Sequence, residues 1–414
     1  MIKKPELLVP AGSLAVLKEA VIYGADAVYI GGESFSLRQG AKNGTIPELA
    51  EGVAFAHAHG AKVYITANIL AHNADIAESE AYFTELREVK PDALLISDPG
   101  LFMAAKRLLP DTELHISTQA NNVNYETCNF WHALGAKRIV LGRELSLAEI
   151  REIREKTPAD LELECFVHGA MCISYSGRCL LSNFFTGRDA NRGDCAQACR
   201  WKYALMEEMR PGQYFPVEED GRGTYIFNSK DLCLLPYLAE VVECGVDSLK
   251  IEGRMKSVHY VASVTKAYRM ALDAYFDAPE TFAADPAWLE ELDKVSHRAY
   301  TDGFFHGGTQ ASAQIYGSSS YTQTSDFVGL VLDYNAASGF ALVEQRNHMR
   351  VGEEIEIFQP KGEGWRQTLA EMTDEDGARI EAAPHPQQHV HIRMERPIEQ
   401  FAILRRDTVS IKGE

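Results

Sequence analysis

Seven short, almost continuously apolar runs punctuate the chain from Leu7 to Phe166, and a helix-length pattern separates most of them. They read LLVPAG, AVYIGG, KVYITAN, ALLISD, LHISTQ, RIVLGRE and LECFVHG. A strand that is apolar on both faces must be covered on both faces, which suits a parallel sheet wrapped by helices. The intervening segments SLAVLKEAVIYG, IPELAEGVAFAHAHG and SLAEIREIREKTP repeat apolar residues every three to four positions. Ser13 and Ser146 stand where N-caps are wanted, and Gly24, Gly60 and Gly135 stand where a helix would stop in the left-handed conformation.

An eighth run, VDSLKIEG around Leu249, arrives after a long detour. Eight strands alternating with helices predict an α/β fold of the TIM-like (β/α)8 barrel type, with an open doubly wound sheet as the alternative. In either fold the residues that follow each strand share one rim: Pro10 and Gly12, Glu33 and Arg38, Asn68, Asp98, Gln119, Arg143 and Glu144, His168, and Glu252 with Arg254. Beyond about Tyr321 short alternating strands are separated by Asn, Gly and Pro turns, with no helix-length segment among them. The expected organisation is a barrel-like catalytic domain over 1–275 carrying a cysteine-rich insertion at 170–230, a mixed connector over 276–321, and a small antiparallel β-barrel over 322–414.

The chain of 414 residues has 46% hydrophobic composition, enough for a large core that needs no covalent staples. It shows no long apolar span and no leader pattern at its start, so a cytoplasmic protein outside the membrane is expected. Its formal net charge of -18 disfavours a broad electrostatic grip on nucleic acid. Locally the sign reverses, because Arg178, Arg188, Arg192, Arg200 and Lys202 outnumber Asp189 and Asp194. A solvated loop face is the plain alternative for that cluster.

Five of the eight cysteines fall between Glu164 and Tyr203. In a reducing compartment such clustering favours metal or redox chemistry over disulfides. Cys195 and Cys199, three residues apart, suit a zinc knuckle, whereas six residues separate Cys172 from Cys179. Iron-sulfur clusters accept more varied spacing, so spacing alone leaves zinc and iron-sulfur both open. Cys165, Cys128 and Cys244 read as core residues, and Cys233 stands as a substitute ligand.

From Glu164 to Ser182 the residues Glu164, Phe166, Gly169, Ala170, Met171, Cys172, Gly177, Cys179, Leu181 and Ser182 resemble the signature of the collagenase-like peptidase family. ELLVPAG, GRELSL, CAQACRWKY, GTYIFNSKDL and SLKIEGRMKS extend the likeness over most of the chain, specifically to the family's tRNA hydroxylation branch. That resemblance implies 5-hydroxyuridine formation at the tRNA wobble position, with prephenate as co-substrate. It also implies an iron-sulfur cluster, expected as 4Fe-4S, on Cys172, Cys179, Cys195 and Cys199. The implied partners are the tRNA anticodon loop and proteins of electron transfer or cluster assembly.

Arg38, Arg143, Lys250 and Arg254 are the rim cations able to hold a dicarboxylate, and ion pairing with Glu33, Glu144 or Glu252 is their structural alternative. Arg188 and Arg192 are the expected RNA contacts, with Tyr175, Phe184, Phe185 and Trp201 either stacking on bases or roofing the cluster. His168 and Glu164 are the acid-base candidates, His168 as a proton shuttle or substrate contact; a hydrogen-bonded core histidine and a structural barrel glutamate are their alternatives. Two other readings compete. A peptidase would need a positioned nucleophile, yet HExxH and GxSxG are both absent, leaving only Cys172 with His168. A noncatalytic RNA-binding protein would use its thiolates for structural zinc.

Overall fold

The computed structural model describes residues 3–172, 174–201, 219–220, 223–224, 229–307 and 321–408. Lys202 lies outside them. Strands β1 (Glu6–Ala11), β2 (Ala27–Gly31), β3 (Lys62–Ala67), β4 (Ala93–Ile96), β5 (Glu113–Ile116), β6 (Arg138–Val140) and β7 (Glu162–Ala170) pair in parallel, in sequence order. Strand β8 (Ser248–Ile251) then bonds to both β1 and β7, which closes the barrel and excludes the open sheet. Leu7, Leu8, Val9, Val28, Val63 and Ile65 are completely buried.

The predicted caps form. Ser13 accepts from the Val16 amide at the start of α1 (Leu14–Ile22), and Ser146 with Glu149 makes a reciprocal capping box on α6 (Leu147–Lys156). Gly24, Gly60 and Gly135 take positive φ after their helices.

Inside the barrel lies a charge network that the apolar reading of the strands did not anticipate. Arg138 of β6 reaches Glu6 at 2.6 Å, Glu162 at 2.7 Å and Glu164 at 3.1 Å, while Lys250 of β8 sits 2.6 Å from Glu164. The Tyr64 hydroxyl donates to Glu6 at 2.6 Å. Every one of these charges has an opposite partner, the condition under which buried ions are tolerated.

Strand β7 runs past the barrel and pairs antiparallel with a short strand, Asp231–Cys233. Its pairing with β8 shifts register between Phe166 and His168, leaving Val167 as an extra residue. A bulge of this kind turns the following side chain to the other face. Phe166 therefore faces the barrel mouth while His168 packs among Tyr260, Tyr268 and Tyr300.

The β-rich C-terminal unit is a seven-stranded antiparallel sheet curled into a half-barrel, with Ser325–Asn335 at its centre and Trp365–Thr368 and Met372–Thr373 at its edges. Its strand His389–Arg393 was not picked out from the sequence. The unit docks firmly on the barrel. Arg405 reaches Glu291 at 2.5 Å and Glu356 at 2.6 Å, the Tyr23 hydroxyl donates to the Phe358 carbonyl at 3.0 Å, and Leu330, Phe358 and Ile403 join the barrel's own core.

Candidate active site

Where the carboxyl ends of the strands meet the insertion, a cavity of about 540 Å³ opens. All four insertion cysteines, Cys172, Cys179, Cys195 and Cys199, line it. Cys233 does not: it is buried, 4.0 Å from the Tyr268 hydroxyl, and burial pushes its thiol up to about 11. Cys128, Cys165 and Cys244 are buried as core residues. The walls carry seven Lys or Arg residues against two acids, Asp194 and Glu252, so the cavity is cationic in a chain of net charge -18. Such an inversion marks a place for anions.

Four cysteines on one cavity wall are the donor set that either a four-thiolate zinc site or an iron-sulfur cluster takes. Among the described residues no group of three or more His, Cys, Asp or Glu side chains is placed to hold one metal ion. The backbone amides of Ser174 and Gln197 point at Cys172 Sγ and Cys195 Sγ, each at 3.4 Å, which suits sulfur carrying negative charge. Burial raises the Cys199 thiol; Arg200 opposes that and the three neighbouring cysteines add to it.

Arg254 is the most unusual cation here. It is 4% exposed and forms no ion pair among the described residues. Its Nη1 donates to Ser36 Oγ at 2.7 Å, Leu37 O at 2.8 Å and Thr66 Oγ1 at 3.1 Å, its Nη2 donates to Asn43 Oδ1, and Nε has no partner. Burial pulls the guanidinium down to about 10, yet it remains charged at neutral pH. A Cβ at Gly31 would lie 2.1 Å from Arg254 Nη2, so glycine is what leaves room for the side chain. Only neutral oxygens hold this charge, and it lines the cavity.

Arg143 is similarly uncompensated. Its Nη1 donates to the Ala170 carbonyl at 2.6 Å and its guanidinium lies 4.7 Å from the Phe166 ring centroid. Glu144 is engaged elsewhere, accepting from the amide and hydroxyl of Ser176 at 2.5 and 2.7 Å and thereby pinning the insertion. Arg38 makes a long 3.4 Å pair with Glu252. Lys250 forms the cavity floor, 4.5 Å from the Tyr29 ring centroid and bound from below by Glu164.

Several expected residues are placed away from the chemistry. Glu164 is fully buried and does not line the cavity; two cations hold its carboxyl below the usual range against the cost of burial. It positions Lys250. His168 is also off the lining, and burial pulls its imidazole down to about 3, so it is neutral. Cys172, its sequence-expected partner in a peptidase dyad, lines the cavity whereas His168 does not. Arg192 grips Asp75 with both Nη atoms, at 2.5 and 2.8 Å, and is a tether of the insertion. Arg188 lines the cavity but pairs with Asp194 at 2.7 Å.

Sequence reasoning missed Ser36, Asn43 and Thr66, which cradle Arg254, and Tyr321, whose hydroxyl accepts from Arg200 at 2.7 Å at the mouth. Their signal lies only in the three-dimensional neighbourhood.

The fold and site define a closed (β/α)8 barrel whose rim carries a cysteine-lined, cation-rich cavity and whose C-terminal side carries a half-barrel. Residues 12–315 match peptidase family U32 and residues 323–405 match the peptidase family U32 C-terminal domain; the chain belongs to this family. It is 45% identical over 405 residues to tRNA hydroxylation protein P1 of Bacillus subtilis, covering 98% of this chain and 95% of that one. It is 38% identical over 445 residues to tRNA hydroxylation protein P of Escherichia coli, covering 98% and 97%. It is also 38% identical over 305 residues to the Escherichia coli 23S rRNA 5-hydroxycytidine C2501 synthase, covering 72% of this chain and 45% of that one.

Proposed function

We propose that this protein is an RNA-modifying enzyme that hydroxylates C5 of the wobble uridine of tRNA, with a 4Fe-4S cluster on Cys172, Cys179, Cys195 and Cys199 and with prephenate as co-substrate. The observation that carries the reading is the meeting, in one cavity, of four thiols with two guanidinium groups, of Arg143 and Arg254, that have no carboxylate partner among the described residues. The relatives' names, which speak of tRNA hydroxylation and of a 5-hydroxycytidine synthase, support the reaction class.

Replacing C5–H by C5–OH is a two-electron oxidation that side chains alone do not perform, and a bound cluster would supply the redox chemistry. The chain's own residues bind and orient. Arg254 and Arg143 offer donors to the carboxylates of a dianionic co-substrate, while Lys250 on the floor is already paired with Glu164. Phe166 and Tyr29 exclude water beside it. The insertion covers the mouth, held by Arg192 on Asp75 and by Glu144 on Ser176. The chain would work in the cytoplasm with tRNA and with electron-transfer or cluster-assembly proteins; no helix among the described residues is long and apolar enough to cross a membrane.

A peptidase reading built on Cys172 with His168 has less support, because Cys172 lines the cavity and the buried His168 does not. Nucleoside mass spectrometry of bulk tRNA tests the proposal. A strain lacking this chain should lose 5-hydroxyuridine and its derivatives, and wild-type chain, but not a Cys172→Ala variant, should restore them. Unchanged nucleoside content in the deletion strain would overturn it.

A further inference from the structure

The insertion presents an aromatic platform beside the cavity mouth. The chain's exposed large hydrophobic side chains concentrate there: Phe184 is 81% exposed, Leu180 75%, Tyr175 54%, Phe185 46% and Trp201 42%. Isolated exposed apolar residues need no explanation, whereas a contiguous set marks an interaction surface. Three of these rings form a chain, with the Phe184 and Phe185 centroids 5.1 Å apart and those of Phe185 and Trp201 6.4 Å apart.

The short helix Leu181–Thr186 joins platform to cavity. Leu181 and Ser182 line the cavity while Phe184 points to solvent. With a helical rise of about 1.5 Å per residue, Phe184 stands roughly one turn along the axis from the lining. Two cations flank the platform without a carboxylate partner among the described residues. Arg178 Nε donates to Gln119 O at 2.7 Å, and Arg200 Nη1 donates to Gln197 Oε1 at 2.8 Å and Tyr321 at 2.7 Å.

We infer that Phe184, with Tyr175 and Trp201 around it, is a stacking platform for unpaired RNA bases, and that Arg178 and Arg200 take the phosphates on either side. The surface deepens the site proposed above by naming what lies against its mouth. Flat rings alternating with cations suit a splayed single strand, since every base has a π face and every link a negative charge. Duplex RNA hides its bases and would gain only the cations. A protein partner would be served equally by aliphatic side chains, and a chain of net charge -18 offers little to an anionic membrane beyond this spot.

Fluorescence anisotropy with the full chain and a short, unpaired, pyrimidine-rich RNA tests this. Phe184→Ala and Phe184→Leu should each weaken binding on the order of 5- to 100-fold, whereas Phe184→Trp should bind as wild type does. Arg178→Gln should lower the slope of log affinity against log salt by about 0.7. Duplex RNA of the same length should compete poorly. The inference fails if Phe184→Leu binds like wild type, if duplex competes equally, or if sedimentation shows a dimer that Phe184→Ala dissociates, which would make the patch a contact between copies. Unchanged melting temperature in the three variants excludes misfolding as the cause. The tRNA nucleoside assay is separate: Phe184-dependent binding without hydroxylation would sink only the proposed reaction, and hydroxylation with no Phe184 effect would sink only the platform.

Discussion

The base and the mouth of the same barrel treat charge in opposite ways. At the base, three carboxylates, Glu6, Glu162 and Glu164, and two cations, Arg138 and Lys250, pair within 3.1 Å, so that every charge meets an opposite one. At the mouth, Arg254 is buried against neutral oxygens, Arg143 against a carbonyl and a ring, and four cysteines approach the same space. Both regions place ions away from water, a costly arrangement, yet only the base completes it from within the chain. An incomplete set of charges is what a ligand completes, so the comparison separates residues that hold the barrel from residues that hold a substrate.

The largest expected effect breaks the base. Arg138→Met should leave three carboxylates without their shared partner and cost roughly 3–5 kcal/mol, read as a lower urea midpoint at unchanged slope. A loss below about 1 kcal/mol would mean that the network is not the buried, saturated assembly described here.

At the mouth the loss should fall on binding. Arg254→Lys keeps the charge and loses the fork, so prephenate affinity measured by calorimetry should drop about ten- to a hundredfold, equivalent to roughly 1.5–3 kcal/mol for a charge-assisted hydrogen bond. Thermal stability should change less than in Arg138→Met. Unaltered affinity with a sharply lowered melting temperature would place Arg254 with the base, as a structural cation.

The smallest effect concerns the tether that holds the insertion at the mouth. Arg192 holds the Asp75 carboxyl down at about 2, chiefly through its hydrogen bonds. A carboxyl lowered below its unfolded value of about 3.9 stabilises the fold above that pH, and the contribution fades as pH falls toward 2. Arg192→Ala should therefore cost roughly 0.5–1 kcal/mol near neutrality, the pair being partly solvent-screened, and almost nothing near the lower value. A penalty that stays constant across that range would assign the tether to packing instead of charge.

These contrasts also mark what a one-dimensional reading can reach. The strands, their order and the caps at Ser13 and Ser146 were legible because periodicity and capping are local. The convergence of the four cysteines was foreshadowed by clustering, and the choice of Cys199 over Cys233 followed once strand Asp231–Cys233 turned out to belong to the core. His168 takes the core position because a single extra residue, Val167, rotates it out of the barrel, and no sequence spacing announces such a bulge. Arg192 was misjudged because its partner, Asp75, lies 117 residues away. The charge network at the base was hidden because Glu6, Arg138 and Lys250 sit at strand positions where an apolar run still looks continuous.

The central claim is that the mouth is completed by a cluster on four particular thiols. Iron and acid-labile sulfide, assayed after anaerobic purification of wild type, Cys199→Ala and Cys233→Ala, test it most directly. Wild type and Cys233→Ala should each carry about four iron and four sulfide per chain, and Cys199→Ala should lose most of both. Full iron in Cys199→Ala, with loss in Cys233→Ala, would contradict the account.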